Sequence, residues 1–123
     1  MPKLDHLGIF VREVTRSREW YTKHLGLKVE FEIPHLKAVA LQDEGGFTIF
    51  IGERPDETIA PSCVLTFQVD DVEAKHKELS AAGVDFKHAP QKLSWGYGAE
   101  LVDPDGYLVC LWDEKSMREK GGG

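Results

Sequence analysis

Several side chains in the second half of the sequence offer more chemistry than packing requires. Glu100 interrupts a run of apolar and small residues, and Trp95 precedes it. Trp112 follows Cys110 by two positions, which places both on one face of a strand. A carboxylate on an apolar surface attracts a cation or has its pKa raised, and an indole stacks on planar molecules. The pattern indicates a small-molecule surface, with a solvent-facing Glu100 and tryptophans packed in a core or dimer as the alternatives.

The cysteines and histidines narrow the remaining chemistry. Cys63 and Cys110 lie in separate apolar runs without metal-type spacing, and packing is the simpler interpretation of Cys110 because catalytic thiolates need an electropositive setting. His6 stands beside apolar residues, where ligand contact and a structural hydrogen-bonded ring are both open. No function is expected for His24, His76 and His88. A Ser-His-Asp order, a phosphate-binding glycine loop and a Cys-x-x-Cys motif do not occur.

Composition sets the protein class. The 123 residues are 41% hydrophobic and 29% charged, which is typical of one globular domain. The net charge of −6 and the scattered basic residues argue against nucleic acid as a partner and slightly favour a cationic ligand. No stretch approaches the ~20 apolar residues of a membrane span, and the charged start lacks a secretory signal, so we expect a cytoplasmic protein.

The chain repeats itself. A strand over His6–Val11, a helix from Val14 to His24 and Gly26 match a strand over Val64–Val69, a helix ending at Ala82 and Gly83, at an offset near 58. Asp70 or Asp71 caps the second helix. The last strands, 46–51 and 106–111, match at an offset of 60. Two further strands fit between helix and last strand of each half, at 28–33 and 37–42 and at 84–89 and 97–102.

The repeat predicts an α+β fold in which two βαβββ modules form a curved mixed sheet around a concave groove. Module one covers about residues 1–56, a charged, proline-containing linker covers 57–62, and module two covers about 63–113. A polar tail, 114–123, ends in three glycines and is expected to fray.

The repeated plan and four motifs resemble the glyoxalase/bleomycin resistance protein/dioxygenase superfamily, also called vicinal oxygen chelate. The motifs are Leu4–Gly8, Phe67–Val72, Trp95–Val102 and Asp103–Gly106. The resemblance implies that metal ligands, in members that use a metal, come from the first and last strands of each module. Those positions here are His6, Phe50, Val64 and Cys110. Only His6 is a usual ligand.

A catalytic divalent ion needs about three protein ligands, and the side chains of Phe50 and Val64 have no lone pairs. His6 with Cys110 makes a two-ligand site unless His35 or Glu100 is recruited, so we expect neither metal nor cofactor. Polar residues that share strand parity with these positions can orient a ligand, or can simply be the exposed half of an alternating strand. They are Thr48, Thr66 and Gln68.

Together these features predict a metal-free protein that sequesters a cationic or planar organic molecule, such as an antibiotic, in a groove edged by Trp95, Glu100 and Trp112. The resemblance also implies a homodimer. The alternatives are a metal-dependent lyase, isomerase or dioxygenase with a non-standard site built on His6, and a module kept for interaction with another protein.

Overall fold

The computed structural model describes residues 2–54 and 59–122, so part of the predicted linker lies outside it. Two compact units divide between Ala60 and Pro61. In the described ranges, no helix is long and apolar enough to cross a membrane.

Each unit is one βαβββ module, as the repeat predicts. The first contains β1 (His6–Val11), α1 (Val14–Leu25), β2 (Lys28–Ile33), β3 (Ala38–Gln42) and β4 (Thr48–Glu53), with a 3₁₀ turn at Pro34–Leu36. The second contains β5 (Val64–Gln68), α2 (Val72–Ala81), β6 (Phe86–Leu93), β7 (Gly96–Val102), β8 (Leu108–Trp112) and α3 (Glu114–Lys120). The sheet orders are β1-β4-β3-β2 and β5-β8-β7-β6, and the first and last strands of each module pair in parallel. The predicted α+β class is confirmed.

Alternation along the strands gives each sheet a helix-covered face and an open face. In the first unit α1 packs on β2, β3 and β4, and the covered face includes the buried Val39, Leu41 and Ile51. In the second unit, the buried Leu101 and Leu111 lie on the covered face under α2. Helix α1 ends where predicted, because Gly26 adopts φ 70° and donates its N–H to the carbonyl of Tyr21. The open faces, which no described helix of the same unit covers, are the candidates for a functional site.

A carboxylate at the end of each last strand holds the start of the module's helix. Glu53 accepts a hydrogen bond from the backbone N–H of Val14 at 3.0 Å, and Asp113 accepts one from Val72 at 2.7 Å. The two carboxylates are 60 positions apart and the two valines 58, which are the offsets of the sequence repeat. Because the first N–H groups of a helix have no partner within it, each carboxylate joins helix to sheet.

The prediction of a frayed tail is wrong for residues 114–120, which form α3. Asp113 caps this helix by accepting from the backbone N–H of Ser116 at 2.6 Å. Helix α3 packs on β7, and the Met117 sulfur accepts from the backbone N–H of Tyr97 at 3.4 Å. The polar composition of the tail gave no indication of the Asp113 cap or of the packing of Met117. Asp113 thus holds the starts of two helices.

We predict that Asp113→Ala lowers the free energy of unfolding by about 2–4 kcal/mol, because three charge-assisted hydrogen bonds, from the backbone of Val72 and from the backbone and hydroxyl of Ser116, are lost in a buried place. The matched control is Asp71→Ala, which removes only the cap on Ala74 and should cost about 1 kcal/mol. Urea unfolding followed by circular dichroism measures both. Equal losses in the two variants would contradict the double role of Asp113.

The same carboxylate predicts a pH dependence. Burial pushes the pKa of Asp113 upward, but hydrogen bonds from the backbone of Ser116 and Val72 outweigh burial and hold it below 3.8. A carboxyl group whose pKa is lower in the folded state stabilises the fold at pH values above its unfolded-state pKa. This stabilisation disappears as the pH falls through the folded-state pKa. The stability difference between wild type and Asp113→Asn should therefore be full at pH 6 and shrink below about pH 4.

Candidate functional site

The open face of the first unit carries an aromatic row that crosses all four strands. Strand register aligns Gly8, Phe50, Ala40 and Phe31, and side chains in register share a face. The Phe31 and Phe50 ring centroids are 6.1 Å apart. We call these four residues the aromatic row. Its two rings form the floor of a pocket.

His6 and Thr48 lie beside the aromatic row, so the structure brings together the three site residues predicted for this unit. The His6 ring centroid is 5.9 Å from that of Phe50. Phe31, Phe50, His6 and Thr48 line an open pocket of about 790 Å³, within the ~300–1,000 Å³ usual for small-molecule sites.

Two carboxylates at this pocket were missed by the sequence analysis. Asp5 contacts His6 Nδ1 at 2.9 Å, and this hydrogen bond, helped by the nearby His6 charge, lowers the pKa of Asp5. Glu30 accepts a hydrogen bond from the Thr48 hydroxyl at 2.8 Å. A register shift in β2 between Val29 and Phe31 marks the place where Glu30 enters the pocket, and such irregularities are difficult to read from sequence.

The open face of the second unit carries a polar row instead. Register aligns Thr66, Cys110, Glu100 and His88 across β5, β8, β7 and β6. These four residues, which we call the polar row, match the aromatic row position by position in the repeat. Three of them were predicted as site residues, and His88 was not. The hairpin register, which pairs Leu93 with Gly96, would place residue 88 opposite residue 101, and only the register shift in β6 brings His88 opposite Glu100, so strand periodicity did not indicate this contact.

His88 and Glu100 form the charged centre of the polar row. His88 Nε2 lies 2.9 Å from Glu100 Oε1, and Nδ1 lies 2.8 Å from the carbonyl of Ala89. Both partners offer acceptor oxygens, and the imidazole N–H on Nε2 donates to the Glu100 carboxylate. The sequence left a raised pKa of Glu100 open as one of two outcomes, and this outcome is not found. The hydrogen bond to His88 opposes burial and, with the Trp95 indole bond, holds the pKa of Glu100 below 4.5.

Cys110 lies next to this pair as a thiol. Its sulfur donates to Glu100 Oε2 at 3.8 Å, and the residue is 5% exposed. Burial, followed by the Glu100 charge, raises the pKa of Cys110. A raised pKa disfavours the thiolate that a nucleophile requires, which supports the packing interpretation.

The predicted tryptophans also lie at this face. The Trp95 indole donates to Glu100 Oε2 at 3.3 Å and lies over Gly98, while Trp112 is half-buried in register with Gln68. Val64, at the other end of β5, is 54% exposed. The second unit therefore gathers all of its predicted site residues on one face.

The donor set at the four family metal positions does not fit a divalent ion. In the first sheet the β4 position beside His6 is occupied by Phe50, and in the second sheet Val64 stands where β5 would supply a donor. Among the residues that the structure describes, no three His, Cys, Asp or Glu side chains are grouped to hold a metal.

The match to a known family model is decisive for classification. Residues 3–111 match the model of the Glyoxalase/Bleomycin resistance protein/Dioxygenase superfamily. The chain belongs to this superfamily. No curated protein sequence matches it significantly.

Solved structures show the same fold at low identity. TnmS3, an antibiotic binding protein from Streptomyces sp. CB03234, superposes with a TM-score of 0.77 at 20% identity, covering 92% of this chain and 96% of its own. A possible glyoxalase from Bacillus cereus gives 0.73 at 17% identity, covering 90% and 98%. A superfamily domain from Frankia sp. EAN1pec gives 0.72 at 21% identity, covering 90% and 96%.

We predict that His88→Ala raises the pKa of Glu100, because the bond that most lowers it is removed while burial remains. Carboxyl ¹³C NMR titration of the glutamates measures the change. His76→Ala is the control, since the His76 ring makes an edge contact with Phe86 and its removal should leave the Glu100 titration unchanged. An unaltered Glu100 titration in His88→Ala would refute the assigned pairing.

We predict that Gly98→Ala lowers the free energy of unfolding by about 1–3 kcal/mol and alters tryptophan fluorescence. A Cβ at Gly98 would lie 2.2 Å from the Leu111 carbonyl oxygen and 2.5 Å from a Trp95 ring carbon. Gly8→Ala is the control on the other open face, because its Cβ would meet only the Phe50 carbonyl at 3.8 Å. Thermal unfolding and emission spectra should separate the two variants.

Proposed function

We propose that this superfamily member sequesters a planar, cationic organic molecule on its open sheet faces without a catalytic metal. The observation that carries the proposal is the aromatic row, whose Phe31 and Phe50 rings lie in one pocket with the Asp5 and Glu30 carboxylates. Aromatic rings stack on a flat ligand, and carboxylates pair with its positive charge.

Simple energies support sequestration by this pocket. Stacking contributes about 0.5–1.5 kcal/mol per aromatic pair beyond area burial, and two rings are available in Phe31 and Phe50. An exposed aspartate such as Asp5 is ionised at neutral pH, and the His6 hydrogen bond lowers its pKa further. Sequestration requires no chemical reaction of the ligand.

The second unit supports the same ligand class. Glu100 stays ionised because the hydrogen bond from His88 lowers its pKa, and Trp95 is 37% exposed beside it. TnmS3, which shares the fold, is an antibiotic binding protein, and we extend the proposal to a cationic or planar antibiotic as ligand. We also propose that the protein is cytoplasmic and that it is a homodimer, as the family resemblance implies.

We predict that Phe50→Ala weakens the binding of planar cations, such as acridine dyes, about tenfold, since one stacking ring and its buried area are lost. Calorimetric titration provides the measurement. Phe10→Ala is the matched control, because Phe10 lies on the same face of the same sheet under Arg54 and outside the pocket lining. Equal affinities of Phe50→Ala and wild type would exclude the aromatic row as the binding surface.

Metal analysis tests the rival enzyme function. Protein purified without chelator should contain no stoichiometric zinc, nickel, manganese or iron. A bound metal that disappears in His6→Ala would overturn the sequestration proposal and favour a lyase, isomerase or dioxygenase.

A further inference from the structure

The first unit has a second cavity, separate from its open-face pocket. The volume is about 410 Å³, and the walls come from the first turns of α1, the end of β2 and the start of β3. The walls include Thr15, Arg18, Glu32, Pro34, Lys37, Val39 and Glu53. The presence of Val39, which is 1% exposed, places this cavity on the helix-covered side of the sheet.

The sequence repeat identifies what occupies the corresponding place in the second unit. Ala40 pairs with Phe50 in the first sheet as Glu100 pairs with Cys110 in the second, so β3 and β7 correspond at an offset of 60. At that offset, Lys37 corresponds to Tyr97.

Tyr97 closes the covered side of the second unit. The residue is 9% exposed, and its hydroxyl donates to Glu73 Oε1 at 2.6 Å and lies 3.3 Å from the Pro90 carbonyl. The Glu73 hydrogen bond is the largest cause that raises the pKa of Tyr97 to about 12, so the hydroxyl stays protonated. This phenol therefore bridges the first turn of α2 and the edge strand β6.

In the first unit, the cavity also lies between the first turn of a helix and an edge strand. Thr15 corresponds to Glu73 at the helix offset of 58, and Glu32 lies on the edge strand β2. Lys37, in the place of the tyrosine, adopts φ 50° and directs its ammonium to Glu53 at 3.5 Å, with 69% of its side chain exposed. By the offsets of the repeat, the cavity corresponds to the place that the Tyr97 ring occupies in the second unit.

The wall carries two cations, Arg18 and Lys37, and two carboxylates, Glu32 and Glu53, so binding of an anionic group depends on the N–H donors that these pairs leave available. Arg18 bonds to Glu32, but a guanidinium has five N–H donors, and one bond leaves others for a second carboxylate. Lys37 adds a second cation at the wall, and its 3.5 Å contact with Glu53 is too long for a strong hydrogen bond. Val39, with Pro34, supplies apolar surface for a ring.

We propose that this cavity is a second ligand site, for small aromatic carboxylic acids. The ring of the acid takes the position that the Tyr97 ring has in the second unit, and its carboxylate pairs with Arg18 and Lys37. The site differs from the open-face pocket in location and in the charge of its ligand, so either can fail without the other.

The test is a titration of ¹⁵N-labelled protein with 4-hydroxybenzoate, followed by amide chemical shifts. The expected shifts fall on residues 14–18 and on Val39. Arg18→Gln, which keeps most of the stem and removes the charge, should weaken binding about tenfold because a bidentate charged contact is lost. Lys23→Gln removes a cation from the other end of the same helix and should bind as wild type does.

Phenol, which is neutral, and benzylamine, which is cationic, are the control ligands. Phenol and benzylamine lack the carboxylate and should bind at least tenfold more weakly. The proposal is overturned if phenol binds as well as 4-hydroxybenzoate, if Arg18→Gln binds normally, or if shifts are absent or confined to the open face around Phe50. If Arg18→Gln does not fold, Lys37→Gln provides the same comparison, and unchanged affinity in that variant overturns the proposal.

Discussion

The parallel pairing of the first and last strands in each module is the constraint on which the rest of the structure depends. It requires a crossover through the helix, and a carboxylate at the end of the last strand, Glu53 or Asp113, accepts from the first N–H of that helix. Pairing in fixed register then places side chains from distant parts of the sequence in rows. His6 meets Thr48 in this way, and Thr66 meets Cys110.

The two open faces differ between the modules, while the covered faces are apolar except beside Lys37. The aromatic row and the polar row occupy the same positions in their modules, yet Phe50 corresponds to Cys110 and Phe31 corresponds to His88. Covered residues must pack against a helix, which limits them to hydrocarbons of suitable size. Open-face residues carry no such constraint, and ligand chemistry can vary there.

Divergence also reached the covered side at one place. Tyr97 fills the second unit between α2 and β6, whereas the first unit has Lys37 and a cavity. The helix α3 accompanies this difference, since Met117 accepts from the backbone of Tyr97 and the Lys120 ammonium lies 5.1 Å from the Tyr97 ring centroid. The second unit, in which Tyr97 fills this place, therefore indicates what kind of group the first unit can bind there.

The sequence alone determined the two βαβββ modules, most element bounds and the open-face position of the predicted site residues, because alternation and glycine stops are local signals. It also showed that Phe50 and Val64 offer no metal donors. Only the tertiary structure decided the partners: His88 lies beside Glu100 through a bulged hairpin, and Glu30 reaches the first pocket through a register shift. The lowered pKa of Glu100, set by the His88 bond, follows from such contacts, and strand periodicity cannot show them because it fixes a face and not a neighbour.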